Sequence, residues 1–264
     1  MPDWAYPIVL LGFFAIVATV FAWRFSEAGS APRYARVERE GGGALLGKRS
    51  MAMAYWAIQP LGSLLVALGI SANAVTWTSL ALGCAAGVAL AFGAFGLAAL
   101  LGTLSFFCDA IDGLVARAAG TASPAGEVLD ASIDRWVEFA FLAGLCVHYH
   151  QSPLLLALSL LALQGGFMVS YASAKAEALH ADVPRGAMRR VERCVYLILG
   201  ATLTALIAPW SLAFTARGVS AELPMLAALL LIAVVGNGSA ALRLRCLARS
   251  VGGSPVLARA PRSV

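Results

Sequence analysis

Four aspartates lie in two neighbouring apolar stretches, at spacings that put them on helix faces. Asp109 and Asp112 are three residues apart, so they share one face of an α-helix. Asp130 and Asp134 are four residues apart and share a face of the next helix. The intervening turn is rich in Gly, Ser and Pro, which predicts an antiparallel pair. In an antiparallel pair, Asp109 and Asp134 lie at the same depth in the membrane, and so do Asp112 and Asp130. The four carboxylates are therefore predicted to form two levels.

Carboxylates packed in this way repel one another and cannot all ionise alone. Two divalent cations would neutralise them, and an all-oxygen ligand set favours Mg²⁺, Mn²⁺ or Ca²⁺ over zinc. Helix capping, or pairing with Arg117 and Arg135, is an alternative, but capping uses one aspartate per helix rather than four on facing stripes. Glu138, one turn beyond Asp134, either pairs with an arginine or tunes the metals.

The face of Asp109 and Asp112 continues through Gly113, Ala116 and Arg117. Glycine lets a bulky ligand approach the backbone, and the guanidinium fork of arginine suits phosphate. Metals, an arginine and an open glycine face together favour phosphoryl transfer. A divalent-cation transporter or a metal-binding membrane scaffold is the alternative function.

The composition indicates that a membrane positions these residues. Of the 264 residues, 60% are hydrophobic and only 12% are charged, and the mean hydropathy is +0.81. A soluble domain carries about 25% charged residues, so a soluble fold is excluded. The net charge of +5 is attributed to topology and anionic lipid, and no nucleic-acid partner is expected, because no basic stretch is interleaved with aromatics. The five scattered cysteines, with no CxxC, are expected to be free thiols.

We predict an all-α integral membrane protein with a core of six transmembrane helices. An extra N-terminal helix precedes the core, and we expect it to be uncleaved because no basic residue precedes it. Segment 51–70 is predicted to be an amphipathic interfacial helix, because every large basic cluster then lies on one side, the cytoplasm. The six core spans are predicted at 73–93, 97–117, 125–147, 154–176, 194–209 and 224–242.

The predicted organisation is therefore an extra helix at 1–23, a basic cytoplasmic linker at 24–50, a core at 51–245 and a cytoplasmic tail at 246–264. The aspartates fall near the cytoplasmic ends of their helices. The expected location is the cytoplasmic membrane of a bacterium or archaeon, with the active site facing the cytoplasm.

The aspartate segment, residues 109–134, fits the pattern DxxDGxxAR(x8)GxxxDxxxD at every fixed position. In this it resembles the CDP-alcohol phosphotransferase family of membrane phospholipid synthases, and the resemblance extends over about residues 45–245. It implies transfer of a phosphatidyl group from a CDP-diacylglycerol-type lipid to a small polar alcohol, with release of CMP and two Mg²⁺ or Mn²⁺ ions. It also implies a homodimer.

Site roles follow from the same resemblance. Asp109, Asp112 and Asp130 would hold the metals, while Asp134 would be both a ligand and the catalytic base. The predicted CDP contacts are Asn73, Thr76, Asp112, Gly113, Ala116 and Arg117. The first two lie in a weaker match to Thr-Pro-Asn-x-x-Thr, and N-capping by Asn73 is an alternative for that signal.

Two further segments bear on the acceptor. Residues 170–177 resemble SYxRAxAE and residues 186–193 resemble GxMxRxER, which favours inositol 1-phosphate, with glycerol 3-phosphate next. The cluster predicted to bind the acceptor phosphate is Lys175, Arg185, Arg189, Arg190 and Arg193. Ser173 stands where the pattern has a basic residue, so serine or another uncharged alcohol stays open as the acceptor.

Overall fold

The computed structural model describes residues 1–26, 34, 47–181, 186–210 and 221–252, and all regular structure within them is helical. Helices α1 to α7 are followed by a short 3₁₀ turn, Ala208–Trp210, and then by α8 and α9, which a π-helical segment, Ile232–Gly236, joins. The bounds are α1 Ala5–Ser26, α2 Lys48–Ala67, α3 Ala72–Ala91, α4 Phe95–Ala118, α5 Pro124–His148, α6 Pro153–Ala178, α7 Arg190–Ile207, α8 Leu223–Leu231 and α9 Asn237–Gly252.

The described helices confirm an all-α membrane fold. Seven of them are long and apolar enough to cross a bilayer, with α8 and α9 counted as one. Helix α2 is among the seven and runs unbroken through Pro60, so its interfacial placement remains a prediction. Helix α9 continues to Gly252, so the residues assigned to the start of the tail are helical. Most of the predicted linker, 24–50, lies outside the described residues.

Helix α3 is the centre of the bundle and packs along both α4 and α5. Glycines permit the α3–α5 contact. A Cβ on Gly83 would lie 2.7 Å from a methyl carbon of Val137, and one on Gly87 would lie 2.2 Å from the carbonyl oxygen of Ala140. Gly144 faces the backbone of Gly87 in return. Small residues four apart let membrane helices approach closely, and these two glycines of α3 form that pattern.

The expectation that α4 and α5 form a directly packed pair is wrong. The two helices contact each other little, because α3 lies between them and packs on each. A small apolar cleft is lined by α3, α4, α5 and α7. Arg190 and Glu138 are the charged residues of its lining. The carboxylates of α4 and α5 therefore converge although the two helices make few direct contacts.

Helix α1 is part of this bundle. The carboxylate of Asp3 accepts hydrogen bonds from the backbone N–H groups of Gly96 (2.8 Å) and Leu97 (3.0 Å) at the start of α4. These N–H groups have no partner within their own helix, so Asp3 caps α4 from another element. Farther along, the rings of Phe14 and Phe107 lie 5.9 Å apart. The N-terminus therefore lies at the end of the bundle opposite the aspartates.

Candidate active site

Three of the four aspartates converge on one point. Oxygen atoms of Asp109 from α4 and of Asp130 and Asp134 from α5 all lie within 4.8 Å of one another. All three side chains are half-buried. The tertiary structure thus brings together carboxylates that the sequence separates by up to 25 positions.

Asp112 lies one turn farther along α4, where a different partner holds it. Its carboxylate accepts a 2.7 Å hydrogen bond from the Thr76 hydroxyl of α3, and only 5% of Asp112 is exposed. A buried carboxylate requires such a partner. Thr76, predicted as a CDP contact, therefore fixes the orientation of a predicted metal ligand.

Arg190, the first residue of α7, reaches into the aspartate cluster. Its Nη1 donates to Asp109 Oδ2 at 2.9 Å, and its Nη2 lies 2.5 Å from Asp134 Oδ1. The guanidinium thus bridges the two aspartates that the sequence matched in depth. The sequence assigned Arg190 to the acceptor, and the structure places it against the predicted base.

The cluster fits a divalent metal on grounds of donor chemistry. Its ligand atoms are all carboxylate oxygens, the set that Mg²⁺ and Mn²⁺ prefer. One oxygen of Asp130 is buried and has no hydrogen-bond partner among the described residues. Such an atom costs stability unless something binds it, so Asp130 has a free ligand position.

The other predicted CDP contacts lie on α3 and α4. Gly113 and Ala116 are half-buried and Arg117 is exposed, all on the face of α4 that carries Asp112. Asn73 is exposed in the first turn of α3. Ser71 is the N-cap of that helix and accepts from the Ala74 N–H at 3.3 Å, so the capping alternative for Asn73 is wrong.

Arg193 is not brought to the open site. It is 1% exposed and binds Glu138 through two hydrogen bonds of 2.5 and 2.7 Å. It also donates to the Met188 carbonyl at 2.6 Å and to the Ser170 hydroxyl at 3.3 Å. Gly166 makes room for this pair, since a Cβ there would lie 2.5 Å from Glu138 Oε1. Of the two roles considered for Glu138, the structure selects pairing with an arginine.

Of the three remaining predicted acceptor residues, the structure describes Lys175 and Arg189. Lys175 is exposed near the end of α6, and Arg185 lies outside the described residues. Arg189 is half-buried and precedes α7, where its backbone N–H donates to Glu192 at 3.1 Å.

Arg243 of α9 is a cation that the sequence analysis missed. Its Nη1 donates to the Ser173 hydroxyl at 2.8 Å, and its Nη2 donates to the Ala187 carbonyl at 3.3 Å. The side chain is buried, with 8% exposure. Arg243 thus reaches the very residue at which the sequence lacks a basic side chain. In the sequence it is only one of several arginines after the last apolar span, so nothing there distinguishes it.

Comparison with known proteins agrees with this geometry. The family model described as CDP-alcohol phosphatidyltransferase matches residues 69–242. The archaetidylinositol phosphate synthase of Methanothermobacter thermautotrophicus is 33% identical over 143 residues, which are 54% of this chain and 72% of that one. The phosphatidylinositol phosphate synthase of Streptomyces avermitilis is 31% identical over 166 residues, or 61% and 68% of the two chains.

The fold agrees with that of a solved membrane protein. The crystal structure of Mycobacterium tuberculosis phosphatidylinositol phosphate synthase with CDP-DAG bound has a TM-score of 0.63 and 23% identity, and the match covers 78% of this chain and 98% of that one. The same enzyme has a structure with manganese and citrate. The family match, the two sequence relatives and the aspartate geometry lead to one conclusion: the chain belongs to the CDP-alcohol phosphatidyltransferase family.

Proposed function

We propose that the protein transfers the lipid-bearing phosphoryl group of a CDP-activated lipid to a phosphorylated polyol and releases CMP. Inositol 1-phosphate is the favoured acceptor, with glycerol 3-phosphate next. The observation that carries this proposal is the convergence of Asp109, Asp130 and Asp134 beside Arg190. The two relatives at 31–33% identity are named as inositol phosphate lipid synthases, which supports the choice of acceptor.

The cofactor of the proposed reaction is a pair of Mg²⁺ or Mn²⁺ ions. Asp109, Asp112, Asp130 and Asp134 would hold them, and the unpartnered oxygen of Asp130 supports this assignment. When bound, such ions neutralise a diphosphate and stabilise the charge that develops on the leaving oxygen. Thr76 fixes the orientation of Asp112 by its hydrogen bond.

Asp134 is the proposed general base. Arg190 holds its carboxylate beside the cluster, so the base has a fixed orientation. The acceptor hydroxyl gives its proton to Asp134, and its oxygen bonds to the phosphorus that carries the lipid. The bond from that phosphorus to the oxygen of CMP breaks, and CMP leaves with the electron pair.

Arg243 supports a phosphorylated acceptor. A phosphate monoester is recognised best by arginine or lysine, and the missing basic residue at position 173 argued against one. The hydrogen bond from Arg243 to Ser173 puts a guanidinium at that position. Lys175, Arg189 and Arg190 would complete the acceptor side, while Arg193 would support it from within the bundle. A homodimer is also proposed, on the resemblance alone.

The aspartate end of the bundle is proposed to face the cytoplasm. At that end of the described bundle, α1, α6 and α9 carry Arg24, Lys175 and Arg249 in their last turns, and α7 begins at Arg190. Basic loops stay on the cytoplasmic side, and a soluble CDP head group meets the lipid-borne substrate there. The bilayer then holds the lipid tails while the reacting phosphate lies at the surface.

The test is CMP release by the purified protein with CDP-diacylglycerol and Mn²⁺, assayed separately with inositol 1-phosphate, glycerol 3-phosphate, serine and free inositol. Stimulation by a phosphorylated acceptor supports the proposal, whereas stimulation by serine or free inositol alone overturns the acceptor assignment. Gly113→Leu is expected to abolish release, because it fills the face that the CDP group would contact. Gly12→Leu, on an open face of α1, is the matched control and should retain activity.

A further inference from the structure

The last membrane span is not a regular α-helix. Between α8 and α9, residues Ile232–Gly236 form a π-helical segment. A π-bulge inserts one extra residue into a helix, and each residue of an α-helix turns by about 100°. All of α9 is therefore rotated by about 100° relative to an uninterrupted continuation of α8.

Asn237 follows this segment directly and ties it to α6. Its side-chain amide donates to the Leu161 carbonyl of α6 at 2.9 Å and to the Ala233 carbonyl at 2.7 Å. Gly165 of α6 provides the space, since a Cβ there would lie 2.9 Å from Asn237 Nδ2 and 3.2 Å from the Ile232 carbonyl oxygen. We call Asn237, Gly165 and the π segment the Asn237 joint.

The rotation set at this joint decides what α9 presents to α6 and to the start of α7. Ser239 and Arg243 are four residues apart and so share one face of α9. The Ser239 hydroxyl donates to the Ala187 carbonyl at 2.7 Å, and Arg243 contacts both Ala187 and Ser173. A rotation of about 100° would turn both side chains away from these partners.

The segment that they hold is itself closely fitted. Gly186 has a φ of +52°, and a Cβ there would lie 2.7 Å from Arg243 Nε and 3.0 Å from Ser239 Oγ. Met188, which has a φ of +61°, presents its carbonyl to Arg193. Residues 186–188 are therefore held from two sides, by α9 and by α7.

We propose that the Asn237 joint is a positioning element that sets the rotation of α9 and so aims Arg243 at the acceptor phosphate. Asn237 itself touches no substrate and acts through Arg243. The proposal rests on the proposed function for its acceptor. Its two parts, the rotation of α9 and the effect on the acceptor, have separate measurements.

The first measurement is kinetic and uses the full chain in detergent or nanodiscs. Asn237→Leu removes both donated hydrogen bonds at nearly constant volume, and Gly165→Ala pushes the Asn237 amide out of place. Each is expected to raise the KM for inositol 1-phosphate about 10-fold, because losing a residue that orients a binding residue has an effect of this size. The KM for CDP-diacylglycerol should change little. Asn237→Gln keeps the amide donor and should recover part of the loss. Gly238→Ala, in the same helix with open space around it, is the matched control.

The second measurement needs no acceptor. Amide hydrogen exchange of residues 186–189 is expected to rise several-fold in Asn237→Leu and Gly165→Ala but not in Gly238→Ala. If amide exchange of residues 186–189 is unchanged in Asn237→Leu and Gly165→Ala, the positioning role is overturned, whichever acceptor the enzyme uses. If exchange becomes faster but the KM for the acceptor is unchanged, the Asn237 joint stabilises residues 186–189 without affecting acceptor binding, and that part of the proposal is wrong. A wild-type enzyme that uses no phosphorylated acceptor would refute the proposed acceptor, while the exchange data still test the rotation of α9.

Discussion

The two ends of the bundle are built in different ways. At the end opposite the aspartates, glycines bring backbones together, as where Gly87 and Gly144 meet. At the aspartate end, α5 has no buried residue before Ile133, and charged side chains bridge the helices. Close backbone packing fixes the directions of the helices at one end. The helices can therefore stay apart at the aspartate end, where the candidate site is open.

The arginines of α7 show the same division within one turn of helix. Arg190 bridges half-buried aspartates at the open cluster, whereas Arg193 lies buried against Glu138. An open ion pair can exchange partners with a ligand, whereas a buried one is costly to break. The comparison therefore assigns chemistry to the first arginine and support to the second, and the following substitutions test it.

The largest effect is expected from Asp130. Asp130→Asn removes the charge whose oxygen lacks a partner, so metal-dependent CMP release should fall below detection. Glu127→Gln, an exposed carboxylate in the first turn of the same helix, is the matched control and should keep its activity. Retained release in Asp130→Asn would show that the cluster is not the metal site.

Asp134→Asn should lower kcat by roughly 10²–10⁴-fold, the usual contribution of a general base. Binding of the CDP-lipid is expected to persist, because Asp109, Asp112 and Asp130 remain. Equilibrium binding of CDP-diacylglycerol and single-turnover rates separate the two roles. Loss of CDP-lipid binding would make Asp134 chiefly a metal ligand.

The two arginines should separate stability from activity. Arg193→Met leaves Glu138 buried and unpaired, which destabilises a protein by about 3–5 kcal/mol. Combining it with Glu138→Leu should recover much of that loss, because an apolar pair replaces the buried ions. Arg190→Met is expected to lose activity with a much smaller change in thermal stability. Melting temperatures and CMP release for the three variants and the wild type decide this. A larger loss of stability in Arg190→Met than in Arg193→Met would contradict the division.

At the opposite end, Gly87→Ala should destabilise without touching the chemistry. Its Cβ would lie 2.2 Å from the Ala140 carbonyl oxygen, so α3 and α5 must move apart. Overpacking of this kind costs about 1–3 kcal/mol. The expected signature is a lower melting temperature with KM values for both substrates unchanged, measured below the melting transition. Altered KM values would mean that the packed end does not act independently of the site.

The smallest effect concerns pH at that same end. The hydrogen bond between His148 and Glu222, 3.2 Å long, lowers the pKa of Glu222 below its ordinary value. A carboxyl with a depressed pKa in the folded state stabilises above its unfolded pKa, and this stabilisation is lost as the pH falls through the folded value. Glu222→Gln should therefore melt slightly lower than wild type at neutral pH, and the difference should vanish in acid. A difference independent of pH would exclude this linkage.

Sequence patterns predicted those features that depend on neighbours along the chain. The helices match the predicted core spans closely at most ends, and hydropathy marks all of these spans except α5, which carries charged residues of the cluster. The depth matching of Asp109 with Asp134 follows from helical periodicity, and the Arg190 bridge between them agrees with it. The prediction that α4 packs directly on α5 was wrong. The residue pattern of each of these two helices does not reveal that α3 packs against both of them.

By itself, the sequence determined the membrane class and the family and singled out the four aspartates as candidates, since these depend on local composition and on spacings of three or four residues. Only the tertiary structure decided that Arg193 is buried while Arg190 meets the aspartates, although both lie on α7. It alone placed Arg243 on Ser173, 70 residues away, because a π segment sets the rotation of α9. Helical periodicity states which residues share a face, but packing between distant helices decides what each face meets.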